Sequence, residues 1–100
     1  MTTIAHQLQL VHQRMAQACA QAARPAHSVA LLAVSKTFPA QAVLEAAQAG
    51  QRAFGENYLQ EGVDKIASVQ ALAPALAAQL QWHCIGPIQS NKTRLVAEHF

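Results

Sequence analysis

The feature that most constrains the fold is the segment 29–34, Val-Ala-Leu-Leu-Ala-Val, in which six successive residues are apolar. A strand with one face in water alternates apolar and polar residues, whereas a parallel strand covered on both faces is apolar throughout. The segment therefore predicts a buried parallel strand. The polar triplet Ser35-Lys36-Thr37 follows it directly, so we expect this triplet at the carboxyl end of the strand.

The order of strand, loop and helix then repeats along the chain. Pro39 fits the first turn of a helix, which turns Val43, Leu44 and Ala47 inward, and Gly50 fits its C-terminal stop. Residues 52–55 predict a short second strand, followed by a helix. Residues 81–85 predict a third strand, and Ser90 is placed to cap the last helix.

A helix precedes these three units. From Ile4 to Ala22, apolar residues recur at steps of four and three, which places them on one face of an amphipathic helix. Thr2 or Thr3 can cap its start, and the Arg24-Pro25 pair ends it because proline disfavours a helical conformation in the residue before it.

Strands that alternate with helices predict an α/β protein with a parallel sheet, either doubly wound or closed as a (β/α)8 barrel. Periodicity does not separate these two architectures. A complete barrel takes about 250 residues, so three units after a leading helix would form well under half of one. The last helical pattern also reaches Phe100 without a closing cap.

Composition excludes several classes of function. The longest apolar run is far shorter than the roughly 20 residues that cross a bilayer, and no signal peptide is recognisable, so we expect a cytoplasmic protein without a membrane partner. The net charge of +2 is spread along the chain without a basic run, which disfavours nucleic-acid binding. Cys19 and Cys84 have no metal-ligand spacing and are expected to be reduced, mostly buried thiols.

The carboxyl ends of the strands are where parallel α/β proteins bind ligands. Lys36, just past an apolar strand, would be partly desolvated, and its amine would then be free to attack an aldehyde. The alternative is a lysine whose side chain simply reaches water.

Four other candidates follow or lie in the later strands. Asn57 could bond a ligand's ring oxygen, or form a turn or a helix cap. Glu56 could be a charge partner or a first-turn helix acid. His83 could contact a ligand or be a satisfied core histidine. Ser90-Asn91-Lys92 could offer N–H groups to an anion, or belong to a capped surface helix.

Three segments together resemble one family. They are Ala33-Val34-Ser35-Lys36-Thr37, Phe54-Gly55-Glu56-Asn57-Tyr58-Leu59-Gln60-Glu61 and Trp82-His83-Cys84-Ile85-Gly86-Pro87-Ile88-Gln89-Ser90-Asn91-Lys92. Their order and spacing are similar to those of the YggS/PROSC family of pyridoxal 5'-phosphate (PLP) homeostasis proteins. Cys84 departs from the bulky apolar residue usual at that position.

The resemblance implies a fold of PLP fold type III, a barrel related to the amino-terminal domain of alanine racemase. Residues 1–100 would be the N-terminal part of that single PLP-binding domain, a partial (β/α)8 TIM barrel. Lys36 matches the lysine that holds PLP as a Schiff base, and Asn57 and His83 would lie around the cofactor ring. No metal site and no catalytic residue are expected.

The family's implied role is intracellular PLP (vitamin B6) homeostasis, in which the protein carries PLP and delivers it to PLP-dependent apoenzymes. We therefore expect binding without catalytic turnover. The alternative is a PLP-dependent amino-acid racemase or lyase of the alanine racemase fold type. Racemases of this type need a second acid/base group from an additional β-domain and a partner subunit. The sequence does not reveal the oligomeric state.

Overall fold

The computed structural model describes residues 3–100, which form two compact units, Met1–Leu31 and Leu32–Phe100. The first unit contains helix α1, Ile4–Gln21. The Thr3 side chain caps this helix by accepting a hydrogen bond from the His6 N–H at 3.1 Å. The prediction of a threonine cap is confirmed for Thr3, and Thr2 lies outside the described residues.

Helix α1 ends in a left-handed residue before the predicted Arg24-Pro25 stop. Ala23 has a φ of 56°, and the Arg24 N–H donates to the Cys19 carbonyl at 2.8 Å. This six-to-one bond is that of a Schellman motif, in which the left-handed position is usually glycine. Cys19 is the buried residue of this helix, and its thiol and that of Cys84 are both free.

The second unit is an α/β arrangement built on a parallel sheet. Its elements are β1 (Ala33–Val34), α2 (Ala40–Gln48), β2 (Ala53–Glu56), α3 (Leu59–Leu72), α4 (Pro74–Ala77), β3 (Gln81–Cys84), a 3-10 turn (Ser90–Lys92) and α5 (Thr93–His99). The three strands are adjacent in chain order, β1-β2-β3, and all pairs are parallel. The predicted α/β class and the three β-α units are confirmed.

The strands are paired in a register that aligns their side chains in rows. Phe54 of β2 pairs with Ala33 on one side and Trp82 on the other, and Gly55 pairs with Val34 and His83. Because side chains alternate along a strand, neighbouring rows point to opposite faces. We call the face with Ala33, Ser35, Phe54, Glu56, Trp82 and Cys84 the covered face, and the face with Leu32, Val34, Gly55, His83 and Ile85 the open face.

The core of this unit lies on the covered face. Phe54 is 1% exposed and its ring lies 5.5 Å from that of Trp82. Helix α3, with Ile66 and Val69 buried, contacts β2, and α2 packs beside α3 with Val43 and Leu44 buried. Gly50, with a φ of 108°, follows α2 as predicted, since this conformation strains any residue with a Cβ.

The first strand is shorter and more exposed than predicted. Only residues 33–34 of the expected strand 29–34 are paired, and Val29, Leu32 and Val34 are 40%, 37% and 49% exposed. The expectation of a strand covered on both faces is therefore wrong for the described residues. The physical reason is that the helices of this unit cover one face of the sheet, while the apolar side chains of the open face contact water.

No helix within residues 3–100 is long and apolar enough to cross a membrane.

Candidate functional site

Lys36 lies in a tight turn at the carboxyl end of β1. In this turn, residues 35–38, the Phe38 N–H donates to the Ser35 carbonyl at 3.1 Å. Thr37 has a φ of 66°, whereas Lys36 is not among the residues with positive φ, and this combination defines a type II turn. Lys36 thus occupies the corner of the turn. Its side chain is exposed, and no group among residues 3–100 bonds its amine.

The expected desolvation of Lys36 is not present in the described residues. The last residue of β1, Val34, is itself 49% exposed. Lys36 follows it in the turn and is exposed as well. The position of Lys36, directly after β1, is as predicted.

The three predicted site residues lie in or just after the three neighbouring parallel strands. Val34, Gly55 and His83 form one row of the register. Lys36 follows Val34 by two positions and lies in the turn after β1, and Asn57 directly follows β2 in a bend. His83 lies within β3, on the open face. The structure therefore places Lys36 and Asn57 just after the carboxyl ends of two adjacent parallel strands, with His83 on the third strand.

Asn57 lies in close approach to Gly86. A Cβ at position 86 would overlap the Asn57 Oδ1 and lie 2.7 Å from the Asn57 carbonyl oxygen. Only a residue without a side chain leaves this space to Asn57. The alternative role as a helix cap is not observed, because Tyr58 occupies the cap position of α3 and makes no side-chain cap bond.

His83 is exposed on the open face, so the alternative of a buried core histidine is wrong for the described residues. Its neighbours along the strand, Trp82 and Cys84, point to the covered face and are half-buried. On the neighbouring strand its partner is Gly55, which brings no side chain beside the imidazole.

Behind the sheet, on the covered face, lies a cluster of three charged residues that we call the Lys65 cluster: Glu56, Glu61 and Lys65. The Lys65 side chain is 5% exposed and that of Glu56 is fully buried. The Lys65 ammonium donates to both Glu56 carboxylate oxygens at 3.0 Å, to Glu61 Oε1 at 3.1 Å and to the Ser35 carbonyl at 2.6 Å. Its three N–H donors thus meet three acceptor groups, which satisfies the buried charge.

The Lys65 cluster bonds the backbone on both sides of Lys36. The Ser35 hydroxyl donates to Glu56 Oε2, and the Ser35 carbonyl accepts from Lys65. On the other side, the Thr37 N–H donates to Glu61 Oε1. Of the four turn residues, the two that flank Lys36 are therefore fixed by side chains of β2 and α3.

Glu61 is the most exposed member of the cluster, with about one third of its side chain in solvent. The hydrogen bond from Lys65 lowers its pKa below the usual carboxyl value. Burial opposes this shift, whereas the Thr37 N–H and the positive charge of Lys65 reinforce it. Glu61 therefore stays ionised, and able to accept both bonds, to lower pH than an isolated glutamate does.

Sequence reasoning found part of this cluster. Glu56 was weighed as a charge partner or a first-turn helix acid, and the structure shows the charge partner, at the end of β2 rather than in a helix. Lys65 was missed. The available signal was the spacing of Glu61 and Lys65, four residues apart on one helix, which is typical of an ion pair.

The segment Ser90-Asn91-Lys92 forms a separate, exposed 3-10 turn. The prediction that Ser90 caps the last helix is wrong: Gln89 precedes the turn, Lys92 precedes α5, and neither cap has a side-chain bond. The extra turn displaces Ser90 three residues from the helix start, and its carbonyl accepts from the Thr93 hydroxyl at 3.1 Å.

Residues 3–100 contain no group of three His, Cys, Asp or Glu side chains that could hold a metal ion.

Comparison with known proteins gives consistent matches over most of the chain, although no protein-family model matches it. A curated protein of Escherichia coli strain K12 named pyridoxal phosphate homeostasis protein is 55% identical over 100 residues, which are 100% of this chain and 42% of that protein. The counterpart of the same name in Haemophilus influenzae is 56% identical over 97 residues, 39% of its length. The chain thus spans about two fifths of these relatives.

Solved structures give the same result. The structure of PipY from Synechococcus elongatus with PLP bound matches with a TM-score of 0.66 and 45% identity, covering 86% of this chain and 39% of PipY. A protein of unknown function from Bifidobacterium adolescentis matches with a TM-score of 0.83 and 36% identity, covering 93% of this chain and 40% of its own.

Proposed function

The chain belongs to the pyridoxal phosphate homeostasis protein family, and from this premise we propose that it binds PLP through Lys36 on the open face of its sheet. The observation that carries the proposal is the position of Lys36 at the corner of a fixed turn, at the carboxyl edge of a parallel sheet, with an amine that no group among residues 3–100 bonds. PipY, 45% identical, is a relative whose structure contains PLP.

PLP supplies an aldehyde, and the Lys36 amine is the group that reacts with it. The amine nitrogen bonds the aldehyde carbon, and the aldehyde oxygen leaves as water with two protons taken from the amine. A carbon–nitrogen double bond, the Schiff base, then joins Lys36 to the cofactor. Neither an oxidant nor a reductant is needed.

Asn57 and His83 fit the remaining polar groups of such a ligand. Asn57 directly follows β2, the strand beside the one that Lys36 follows, and His83 lies within β3 on the open face. An amide can donate to or accept from a ring oxygen, and an imidazole can do the same or stack against a ring. We assign both residues to the surroundings of the cofactor ring.

The open face also supports the barrel architecture. In a (β/α)8 barrel, one face of every strand points inward and the helices cover the other. This pattern matches the covered face, where α3 packs, and the open face, where Leu32, Val34 and Ile85 are at least 37% exposed. We propose that residues 1–100 are the N-terminal part of one such PLP-binding domain, whose interior is the open face.

The role that follows is PLP homeostasis in the cytoplasm: the protein holds the cofactor and passes it to PLP-dependent apoenzymes without turning over a substrate. The names of the relatives support homeostasis rather than a racemase or lyase activity.

Absorbance and reductive trapping test this proposal. PLP is added to the full-length protein, the visible band is recorded, and borohydride is used to reduce the linkage before peptide mapping. We expect wild type to carry the adduct on Lys36, with the peptides of Lys65 and Lys92 as internal controls. Lys36→Ala has no side-chain amine at position 36 and cannot form the adduct there, and its visible band should be weaker than that of wild type. A wild-type protein with no adduct on Lys36 would refute the proposal.

A further inference from the structure

The Lys65 cluster bears on the position of Lys36, although it makes no hydrogen bond to the Lys36 side chain. Its members bond Ser35 and Thr37, and none of them bonds the Lys36 side chain. This further inference rests on the proposed function, because it concerns how Lys36 is presented to PLP.

We propose that Glu56, Glu61 and Lys65 are positioning residues for Lys36. They fix the two backbone neighbours of the lysine so that its amine starts from one defined point at the edge of the open face. A lysine side chain has four rotatable bonds between its Cα and its amine, so the amine can reach many positions. A fixed backbone limits these positions because it fixes the point from which the side chain starts.

The conformation of Thr37 shows that the turn needs this support. A φ of 66° at the third position of a type II turn suits glycine, and threonine is β-branched, which makes the conformation costly. Such conformations persist where surrounding contacts determine them. Here the contact is the hydrogen bond from the Thr37 N–H to Glu61 Oε1.

Ser35, on the other side, is held more firmly still. It is 6% exposed, its N–H donates to the Gly55 carbonyl at 2.9 Å, and its carbonyl and hydroxyl meet Lys65 and Glu56. Lys65 links the two sides because the same ammonium bonds Glu56 and Glu61. The cluster therefore connects both flanks of Lys36 through one charge on α3.

Glu61 is the member best suited to a test, because one third of its side chain is exposed and its replacement leaves the buried Glu56–Lys65 pair in place. Glu61→Met removes the acceptor of the Thr37 N–H and keeps an unbranched side chain. Glu61→Gln restores an oxygen acceptor without the charge. Glu98→Met is the matched control, since Glu98 also pairs with a cation four residues away, Arg94, but touches nothing in the turn.

The experiment measures PLP affinity and the share of borohydride-trapped PLP found on Lys36 in the full-length variants, with unfolding curves to establish that each is folded. We expect Glu61→Met to bind PLP about tenfold more weakly than wild type. This loss is smaller than the roughly hundredfold loss of rate that a 1 Å misplacement of a reacting group can cause. Its trapped PLP should shift from Lys36 to other lysines. Glu61→Gln should recover most of the affinity, and Glu98→Met should match wild type.

A folded Glu61→Met protein with wild-type affinity and a wild-type share on Lys36 would overturn the positioning role while the proposed function stands. Equal losses in Glu61→Gln and Glu61→Met would also overturn it, because the restored oxygen would then make no difference. If wild type itself carries no PLP on Lys36, it is the proposed function that fails.

Discussion

The two faces of the sheet use polar residues in opposite ways. On the covered face, Glu56 and Lys65 are almost fully buried, and every hydrogen-bonding group of the pair has a partner. On the open face His83 is exposed, and in the turn after β1 Lys36 is exposed with an amine that bonds nothing within residues 3–100. Buried groups that are already satisfied hold the structure, whereas polar groups left free at a strand edge are available to a ligand.

The largest effect should come from breaking the buried ion pair. Lys65→Met leaves the Glu56 carboxylate buried without its cation, which costs about 3 to 5 kcal/mol of the free energy of unfolding. Urea unfolding measures the change. Arg94→Met is the control: its pair with Glu98 is exposed, 91% and 49% for the two side chains, and exposed pairs contribute about 1 kcal/mol or less. Equal losses in the two variants would contradict the difference between buried and exposed charge.

A pair of valines compares the two faces with the same change. Val69→Ala, at a residue with 0% exposure, should cost about 2 kcal/mol, from two lost methyl groups and the cavity that they leave. Val34→Ala, at 49% exposure on the open face, should cost clearly less in the 100-residue chain.

The same valines test the barrel proposal. If the open face is the interior of a closed barrel, Val34 becomes buried in the full-length protein, and the cost of Val34→Ala should rise there toward that of Val69→Ala. The measurement is the difference between the two variants in urea unfolding at both chain lengths. An unchanged, small cost at Val34 in the full-length protein would contradict burial of this face.

Two glycines test the placement of Asn57. Gly86→Ala puts a methyl group onto the Asn57 side chain and its backbone carbonyl, which should cost about 1 to 2 kcal/mol and displace Asn57. Gly55→Ala meets only the ends of the Ile85 and Leu32 side chains, at 3.1 Å and beyond, and these can rotate away. Gly55→Ala should therefore be the milder change in thermal unfolding, and the reverse order would show that Asn57 is not fixed by Gly86.

The smallest expected effect is on the pH dependence of stability. The Glu61 pKa is lower in the folded protein than the usual value of about 4.3. Its contribution to stability is therefore complete above that value and is lost as the pH falls through the lowered folded value. Glu61→Gln removes this contribution, so its loss of stability on acidification should be less steep than that of wild type. Urea midpoints measured from neutral pH to about pH 3 would show it, and parallel curves would contradict it.

Sequence patterns predicted the order of elements and the residues at the strand ends, because both depend on local spacing. Apolar runs and glycine or proline stops predicted three strands and their helices, and they predicted Lys36 and Asn57 just after strands and His83 within one. The exposure of Val34 was not predictable in this way, since burial on the second face depends on elements beyond the strand itself.

Lys65 shows the second limit. In the sequence it is one helical lysine between Asp64 and Ile66, and only the approach of β2 to α3 buries it against Glu56. The spacing of Glu56 and Lys65 in the sequence matches no motif that would indicate their contact. The nearby Glu61 is the one partner whose helical spacing indicated a pair.

The most direct test of the account is a crystal structure of the full-length protein with PLP. We predict continuous density between the Lys36 Nζ and the cofactor, with the ring on the open face beside Asn57 and His83 and with the Lys65 cluster intact behind the sheet. A cofactor joined to another lysine, or one bound on the covered face, would contradict it.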